Sequence, residues 1–335
     1  MKSLLKSALG LVLLFILSSC AGVQRYEYSR FIMDTYFEII VYSDKPFGEV
    51  DRAADGAFGL IEALEKKFSV TDTNSAIYQL NRDKSVEADS EMLTVFSNTL
   101  AMSAWTSGAF DPTIYPLVAL WGFFSDQFRV PTAQEIQSIM KSVDYMKITI
   151  TGGKVILDGG VSVDFGGILK GYAVDQAVEH LTANGIVSGI VNAGGNLKVF
   201  GVKPDGSNWE IGIRHPRDKG GIYTVLSLKP GAEMSVATSG DYERFFMENG
   251  TRYHHIMSPF DGYPVHNGVV SVSIAHESAM LCDGLSTSLF VMGAEKGIEF
   301  ADKNGIAAMI ITEKDGMLIE HRSVKWMELT GTLTY

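Results

Sequence analysis

The sequence predicts an α+β fold of mixed sheets with packed helices, and three observations carry that prediction. Helical periodicity dominates the first half of the chain, short strand-like runs crowd the second half, and the two kinds of segment do not alternate strictly enough for a doubly wound sheet. Apolar residues make up 46% of the 335 positions, which is ample for a substantial core. No linker divides residues 20–335, so they are read as a single domain.

Residues 1–19 bear on address rather than on fold. Lys2 and Lys6 precede an apolar run from Ala8 to Leu17, too short to span a bilayer as a helix and laid out like a secretory signal. The run ends in Leu17-Ser18-Ser19-Cys20, the pattern of a bacterial lipobox, which is cut before a cysteine that is then lipidated. Residues 1–19 are therefore expected to be a lipoprotein signal peptide and Cys20 the lipidation site. Stable anchoring would need more than one acyl chain. A plain cleaved signal would also mean export.

Residues 36–42 alternate like a strand. Residues 50–68 repeat at helical spacing, with Ala53, Ala57, Leu60, Ile61 and Leu64 on one side. A second helix is expected over 91–105. Thr132 follows Pro131 and precedes Glu135 by three positions, a capping box that opens a helix reaching Ser142. Val161 and Val163 read as the end of a strand, and Ile168, Ala173, Val174, Ala177, Val178 and Leu181 as the buried stripe of the helix behind it. Strands are then expected at 187–191, 196–200, 209–214, 223–228 and 269–274. Helices near 278–292 and 295–303 and a strand at 306–312 complete the order.

The formal charge of −11, with no Lys/Arg cluster, argues against nucleic acid and against polybasic attachment to anionic lipid. Any membrane anchor would have to be covalent. Cys282 is the only cysteine besides Cys20, so it lacks a disulfide partner and is expected to be a small buried hydrophobe.

Several glycine-marked polar clusters carry the chemistry. In Asp164-Phe165-Gly166-Gly167-Ile168-Leu169-Lys170-Gly171-Tyr172, a glycine turn meets a helix start. Backbone N–H groups, the positive end of the helix dipole and the Lys170 ammonium together suit phosphate or pyrophosphate, and Asp164 invites a divalent cation. The plainer alternative is a turn whose glycines only supply positive φ. Gly108-Ala109-Phe110-Asp111-Pro112-Thr113 sets an aromatic and an acid in a proline-limited loop, suited to packing a planar ring or simply to closing the loop.

Asn192-Ala193-Gly194-Gly195-Asn196 either presents backbone to a ligand or makes a tight turn. Residues 235–242 are rich in hydroxyls. In Tyr253-His254-His255-Ile256, strand alternation would turn one imidazole inward, and two histidines alone are poor grounds for zinc. Asp283 and Thr287, four apart in a helix, share either a hard-cation site or a merely solvated face.

In this order these segments resemble the FAD:protein FMN transferase family, the ApbE-type flavin transferases. The resemblance runs from Met33 to about Met317. Besides the clusters above, it rests on Met33-Asp34-Thr35, Phe68-Ser69, Asn74-Ser75, Leu80-Asn81, Leu120-Trp121-Gly122-Phe123 and Ile213-Arg214-His215-Pro216. It implies an Mg2+-dependent enzyme that takes FAD as substrate, moves FMN to a threonine hydroxyl of an acceptor protein through a phosphoester bond and releases AMP.

Carried over to matching positions, Met33, Ala109, Phe110, Asp111, Asp164, Lys170 and Ile256 would contact FAD. The Gly167 carbonyl, Asp283 and Thr287 would hold the metal, with Ser286 as a further ligand. Metal and Lys170 would offset charge on the phosphoryl oxygens and on departing AMP. His255 is the candidate base for the acceptor hydroxyl, with an aspartate as the alternative. The implied acceptor is a membrane redox subunit, such as those of sodium-pumping NADH:quinone reductase. The implied location is the periplasmic side of the inner membrane.

Two positions depart from the family pattern: Asp34 stands where glycine is usual, and Thr71 where many members carry an aromatic. An aromatic at 71 could stack on a ring of FAD, whereas threonine leaves room for water and would favour FAD pyrophosphatase activity, giving FMN and AMP. A non-catalytic flavin-binding lipoprotein is the reading from another class. It would need the Phe110 loop but not the Asp283–Thr287 pair.

Overall fold

The computed structural model describes residues 22–125 and 127–332, so the signal segment and Cys20 lie outside the described residues. Eight strands form the main sheet in chain order: Gln24–Ile32, Thr35–Ser43, Gly189–Ala193, Asn196–Phe200, Met234–Gly240, Val269–His276, Ala307–Lys314 and Met317–Arg322. The α+β class is as expected. The pairing is not mixed, however, because every neighbouring pair in this sheet is antiparallel.

Connectivity explains the difference. Three pairs close through two-residue hairpins, and the helical excursion over residues 47–183 returns beside the strand it left, running the opposite way. The hairpin tips are Met33-Asp34, Gly194-Gly195 and Asp315-Gly316, with positive φ at all six residues. Such turns match the twist of the paired strands and favour glycine. Asp34→Gly is accordingly expected to stabilise the chain by roughly 0.5–1 kcal/mol, read as a small rise in melting temperature, by relieving a left-handed non-glycine residue.

Strand alternation divides the core between the two faces. Phe37, Ile39, Val41, Val191, Ala193, Ala237, Val272, Ile274, Ala308 and Ile310 point to the face covered by the long helices Phe47–Phe68, Leu169–Ala183 and Ala279–Met292. Val199, Val236, Ala275, Met309 and Ile311 point to the other face, under the hairpin Trp209–Arg214/Ile222–Leu228 and the helix Val324–Thr330. Trp209 and Trp326 fill this second layer.

Most elements begin and end within a few residues of expectation. The capping box is present, with Thr132 and Glu135 bonded reciprocally, but its helix is Ala133–Met140. Helix Phe47–Phe68 buries Ala53, Ala57, Ile61 and Leu64, whereas Leu60 is 39% exposed, because it sits at the margin of the stripe. Cys282 is buried and free, as expected.

Val161 and Val163 are buried but do not end a strand. A side chain replaces the partner strand: the Asn81 amide donates to the Val163 carbonyl at 2.9 Å and its oxygen accepts the Val163 N–H at 2.7 Å. The Lys84 ammonium donates to the Val161 carbonyl. These contacts hold the chain extended as it enters the turn at Asp164.

Candidate active site

The turn after Val163 is shaped for close approach. Neither Gly166 nor Gly167 has positive φ, so conformational freedom is not what selects glycine here. A Cβ on Gly167 would lie 3.2 Å from the Phe110 ring and 3.6 Å from Thr287 Oγ1. Gly167 therefore lets the Phe110 loop, the turn and the Ala279–Met292 helix meet. The Asp164 N–H donates to the Pro112 carbonyl at 2.9 Å, tying the same loop to the turn.

The helix start is already partly occupied by its neighbours. The Gly166 N–H donates to Asp164 Oδ2 at 3.2 Å, so it is not the free phosphate donor expected from sequence. Lys170 reaches back along its own helix, Nζ donating to the Gly166 carbonyl at 2.9 Å. Helix Leu169–Ala183 has no side-chain cap of its own at Ile168. Asp283 of the neighbouring helix supplies one instead, Oδ2 accepting the Gly171 N–H at 3.0 Å.

Asp283 is 4% exposed, and its second oxygen accepts no hydrogen bond from the described residues. Beside it, Ser286 Oγ donates to the Asp283 carbonyl at 2.9 Å. Ser239 Oγ lies 2.8 Å from Ser286 Oγ and 3.2 Å from Thr287 Oγ1. A carboxylate oxygen, hydroxyls and the nearby Gly167 backbone make a hard-oxygen set. Among the described residues no three of His, Cys, Asp and Glu cluster at metal-binding distance. A single carboxylate fits Mg2+ completed by phosphate and water, and would not make a self-sufficient protein cage.

The other expected FAD contacts lie on the Phe110 loop, the loop after Phe68, the Met33 hairpin and the segment after His255. Phe165 packs edge-on against Phe68 at 5.4 Å and Phe96 at 4.8 Å, which brings the loop after Phe68 beside the turn. In that loop Thr71 is exposed, and the Thr71 and Asp72 N–H groups donate to Ser69 Oγ. Met33, at its hairpin tip, donates its N–H to Glu65 Oε1 at 2.6 Å. Ala109, Phe110 and Ile256 are buried. Asp111 uses both carboxylate oxygens to close its loop, Oδ1 accepting from Thr113 N and Oγ1 and Oδ2 from the Tyr145 N–H. Burial pushes the carboxyls of Asp111 and Asp164 above the usual range, opposed by these local hydrogen bonds.

Strand Thr251–His254 turns His254 into the protein, where Nε2 meets the Val265 carbonyl at 2.9 Å. His255 lies just past the strand and is half-buried. Its Nδ1 is 3.2 Å from the Arg244 carbonyl, an acceptor, which assigns the proton to Nδ1 and leaves the Nε2 lone pair free. Burial, then the neighbouring His254, lowers His255 to about 3, and burial lowers His254 to about 4. Both rings are neutral at pH 7.

A depressed histidine pKa means that the unfolded chain binds the proton first. His254 therefore adds stability that is present above pH 6.5 and lost as pH falls from there toward about 4. Denaturant unfolding of the ligand-free chain is expected to lose up to about 1.4 kcal/mol per pH unit across that window through His254. His254→Gln should flatten the profile. An unchanged slope would show that His254 protonates in the folded chain near its ordinary value.

The chain as a whole is similar to known proteins. Residues 33–310 match the ApbE family. The chain belongs to the ApbE family. It is 34% identical over 282 residues to an FAD:protein FMN transferase of Vibrio cholerae, covering 82% of this chain and 81% of that one. The crystal structure of the ApbE protein of Thermotoga maritima superposes with a TM-score of 0.84 at 35% identity, covering 92% of this chain and 99% of that one. Flavinyl transferase ApbE of Pseudomonas stutzeri gives a TM-score of 0.83 at 30% identity, covering 93% and 98%.

The hydroxyl-rich segment 235–242 contributes Ser239 to the hydroxyl cluster, a contact to Ser286 and Thr287 that the sequence did not specify. One contributor was not singled out from sequence. Asp175 accepts from Ser278 Oγ and from the Ala279 and Met280 N–H groups, clamping the start of the helix that carries Asp283 and Thr287. No sequence pattern announces that contact, because its partners are more than 100 positions apart.

Proposed function

We propose that this ApbE-family chain is an Mg2+-dependent FAD:protein FMN transferase. The observation that carries the reading is the convergence of Asp283, Ser286, Thr287 and Ser239 on the Gly166-Gly167 turn with Lys170 beside it. In the reaction the acceptor threonine oxygen forms a bond to the FMN phosphorus. The bond from that phosphorus to the oxygen shared with AMP breaks, and AMP leaves with the electron pair. Asp283, Thr287, Ser286 and the Gly167 carbonyl would hold Mg2+, which when bound neutralises charge on the pyrophosphate.

Lys170 places a cation beside the same oxygens. His255 offers a free Nε2 to the threonine proton. It is a weak base in the ligand-free site, and the negative charge of bound pyrophosphate acts to raise its affinity for a proton. Met33, the Ala109-Phe110-Asp111 loop, Asp164 and Ile256 would seat the flavin nucleotide.

The test is incubation of the chain with FAD and Mg2+, with and without a threonine peptide, following AMP, free FMN and peptide-bound flavin, with EDTA as control. AMP matched by peptide-bound FMN supports transfer. Bound FAD without AMP would replace this reading with a flavin-binding lipoprotein.

The exposed Thr71 favours a hydrolytic component, because no aromatic stands at that position to stack on FAD and exclude water. AMP matched by free FMN is its signature. Thr71→Tyr is expected to lower the ratio of free FMN to peptide-bound FMN several-fold, and an unchanged ratio would remove Thr71 as the determinant. We propose further that Cys20 is lipidated and holds the domain at the periplasmic face of the inner membrane. The acceptor is then a membrane redox subunit.

A further inference from the structure

The main sheet has two distinct ends. At one end lie the Met33-Asp34 and Gly194-Gly195 hairpins and the part of strand Met234–Gly240 that carries Ser239, so this is the flavin end. At the other end lie Gln24, paired with Ser43, and Ser188, whose carbonyl accepts the Tyr42 N–H and whose hydroxyl donates to the Val202 carbonyl. The first strand begins at Gln24, four positions after Cys20.

We propose that this second end is a membrane-facing surface whose partner is the phospholipid bilayer, so that the flavin site opens away from the membrane. The proposal rests on lipidation of Cys20. Four residues reach at most about 14 Å, so lipids on Cys20 keep Gln24 close to the bilayer in every orientation. Around Gln24 the sheet end exposes Val23, Phe47, Val187 and Val202, with Val187 68% exposed. Large apolar side chains at that point can enter the interfacial layer without moving the domain.

Lys45, Lys203 and Lys229 lie in the same rim, as do Asp44 and Asp205. The rim is therefore no basic patch, and the acyl chains supply the attraction. Nine residues of strand separate this end from the Met33 tip, about 30 Å at the usual rise. The exposed aromatic pair Phe31 and Tyr36, 5.3 Å apart at the flavin end, stands one strand length beyond the anchor. An acceptor threonine must then be offered on a region that projects well clear of the bilayer.

The test uses the full lipidated chain in phosphatidylcholine vesicles, with Val187→Cys or Phe31→Cys carrying a fluorophore. Buried Cys282 does not compete for the label. Lipid bearing a nitroxide on its headgroup is expected to remove most of the emission at position 187 and to leave that at 31 unchanged. Equal quenching at both sites, quenching only at 31, or none at either in floated vesicles would overturn the orientation. Failure of the unsubstituted chain to float would overturn it through the anchor, and AMP release from FAD in detergent would show whether the flavin chemistry stands independently.

Discussion

Asp283→Asn is expected to cut AMP release from FAD by at least about 100-fold while leaving the fold intact. The asparagine oxygen can still accept the Gly171 N–H that Asp283 Oδ2 accepts at 3.0 Å, so the cap between the two helices survives. What disappears is the single negative charge in a set otherwise made of hydroxyls and a carbonyl. A hard divalent cation loses most of its electrostatic reason to bind there. Raising Mg2+ should restore part of the rate, FAD binding should persist, and the melting temperature should stay near that of the parent.

Asp283→Ala separates the two duties of this residue. It removes the charge and also leaves the buried Gly171 N–H unpartnered, which costs about 1–3 kcal/mol. Wild-type turnover in Asp283→Asn would take Asp283 out of the metal site and leave it as a helix cap.

Gly171→Ala is expected to be a severely damaging single-methyl addition beside the site. Its Cβ would stand 2.2 Å from the Ala279 carbonyl oxygen, 2.6 Å from that carbonyl carbon and 2.8 Å from Met280 Cα. All three are backbone atoms, so no side-chain rotation relieves the clash and the two helices must separate. Overpacking of this kind costs about 3 kcal/mol or more, which for a domain this size lowers the melting temperature by roughly 5–10 °C. Separation also stretches the Gly171 to Asp283 bond and displaces Thr287 from the Gly167 turn, so activity should fall at temperatures where the variant is still folded. A variant with unchanged melting temperature and activity would mean that these helices tolerate the shift without moving the site.

Periodicity located helices and strands where one face is buried and the other wet, as in Phe47–Phe68 and Trp209–Arg214. It misread Val161 and Val163, which are buried like strand residues yet pair with the Asn81 side chain, because burial and hydrogen bonding are separate demands. The edge strand Gln24–Ile32 was not anticipated, since it buries only Ile32 and offers no apolar stripe. Direction within the sheet was equally hidden. Parallel and antiparallel neighbours show the same alternation locally, and only the path of the chain between them distinguishes the two.

The site divides along the same line. Sequence alone determined which groups are available: a glycine turn with Asp164 and Lys170, an aromatic loop at Phe110, a carboxylate and hydroxyl one helical turn apart, and a histidine pair. Short-range spacing suffices for these because three- and four-residue intervals set a helix face. Tertiary structure decided which of them meet and which are already engaged. It brought Ser239 to Ser286, turned His254 inward and left His255 at the edge, closed Asp111 on its own loop, and set Asp283 to cap another helix. Those contacts join residues far apart in the chain, and burial of a polar group demands a partner wherever the fold places one.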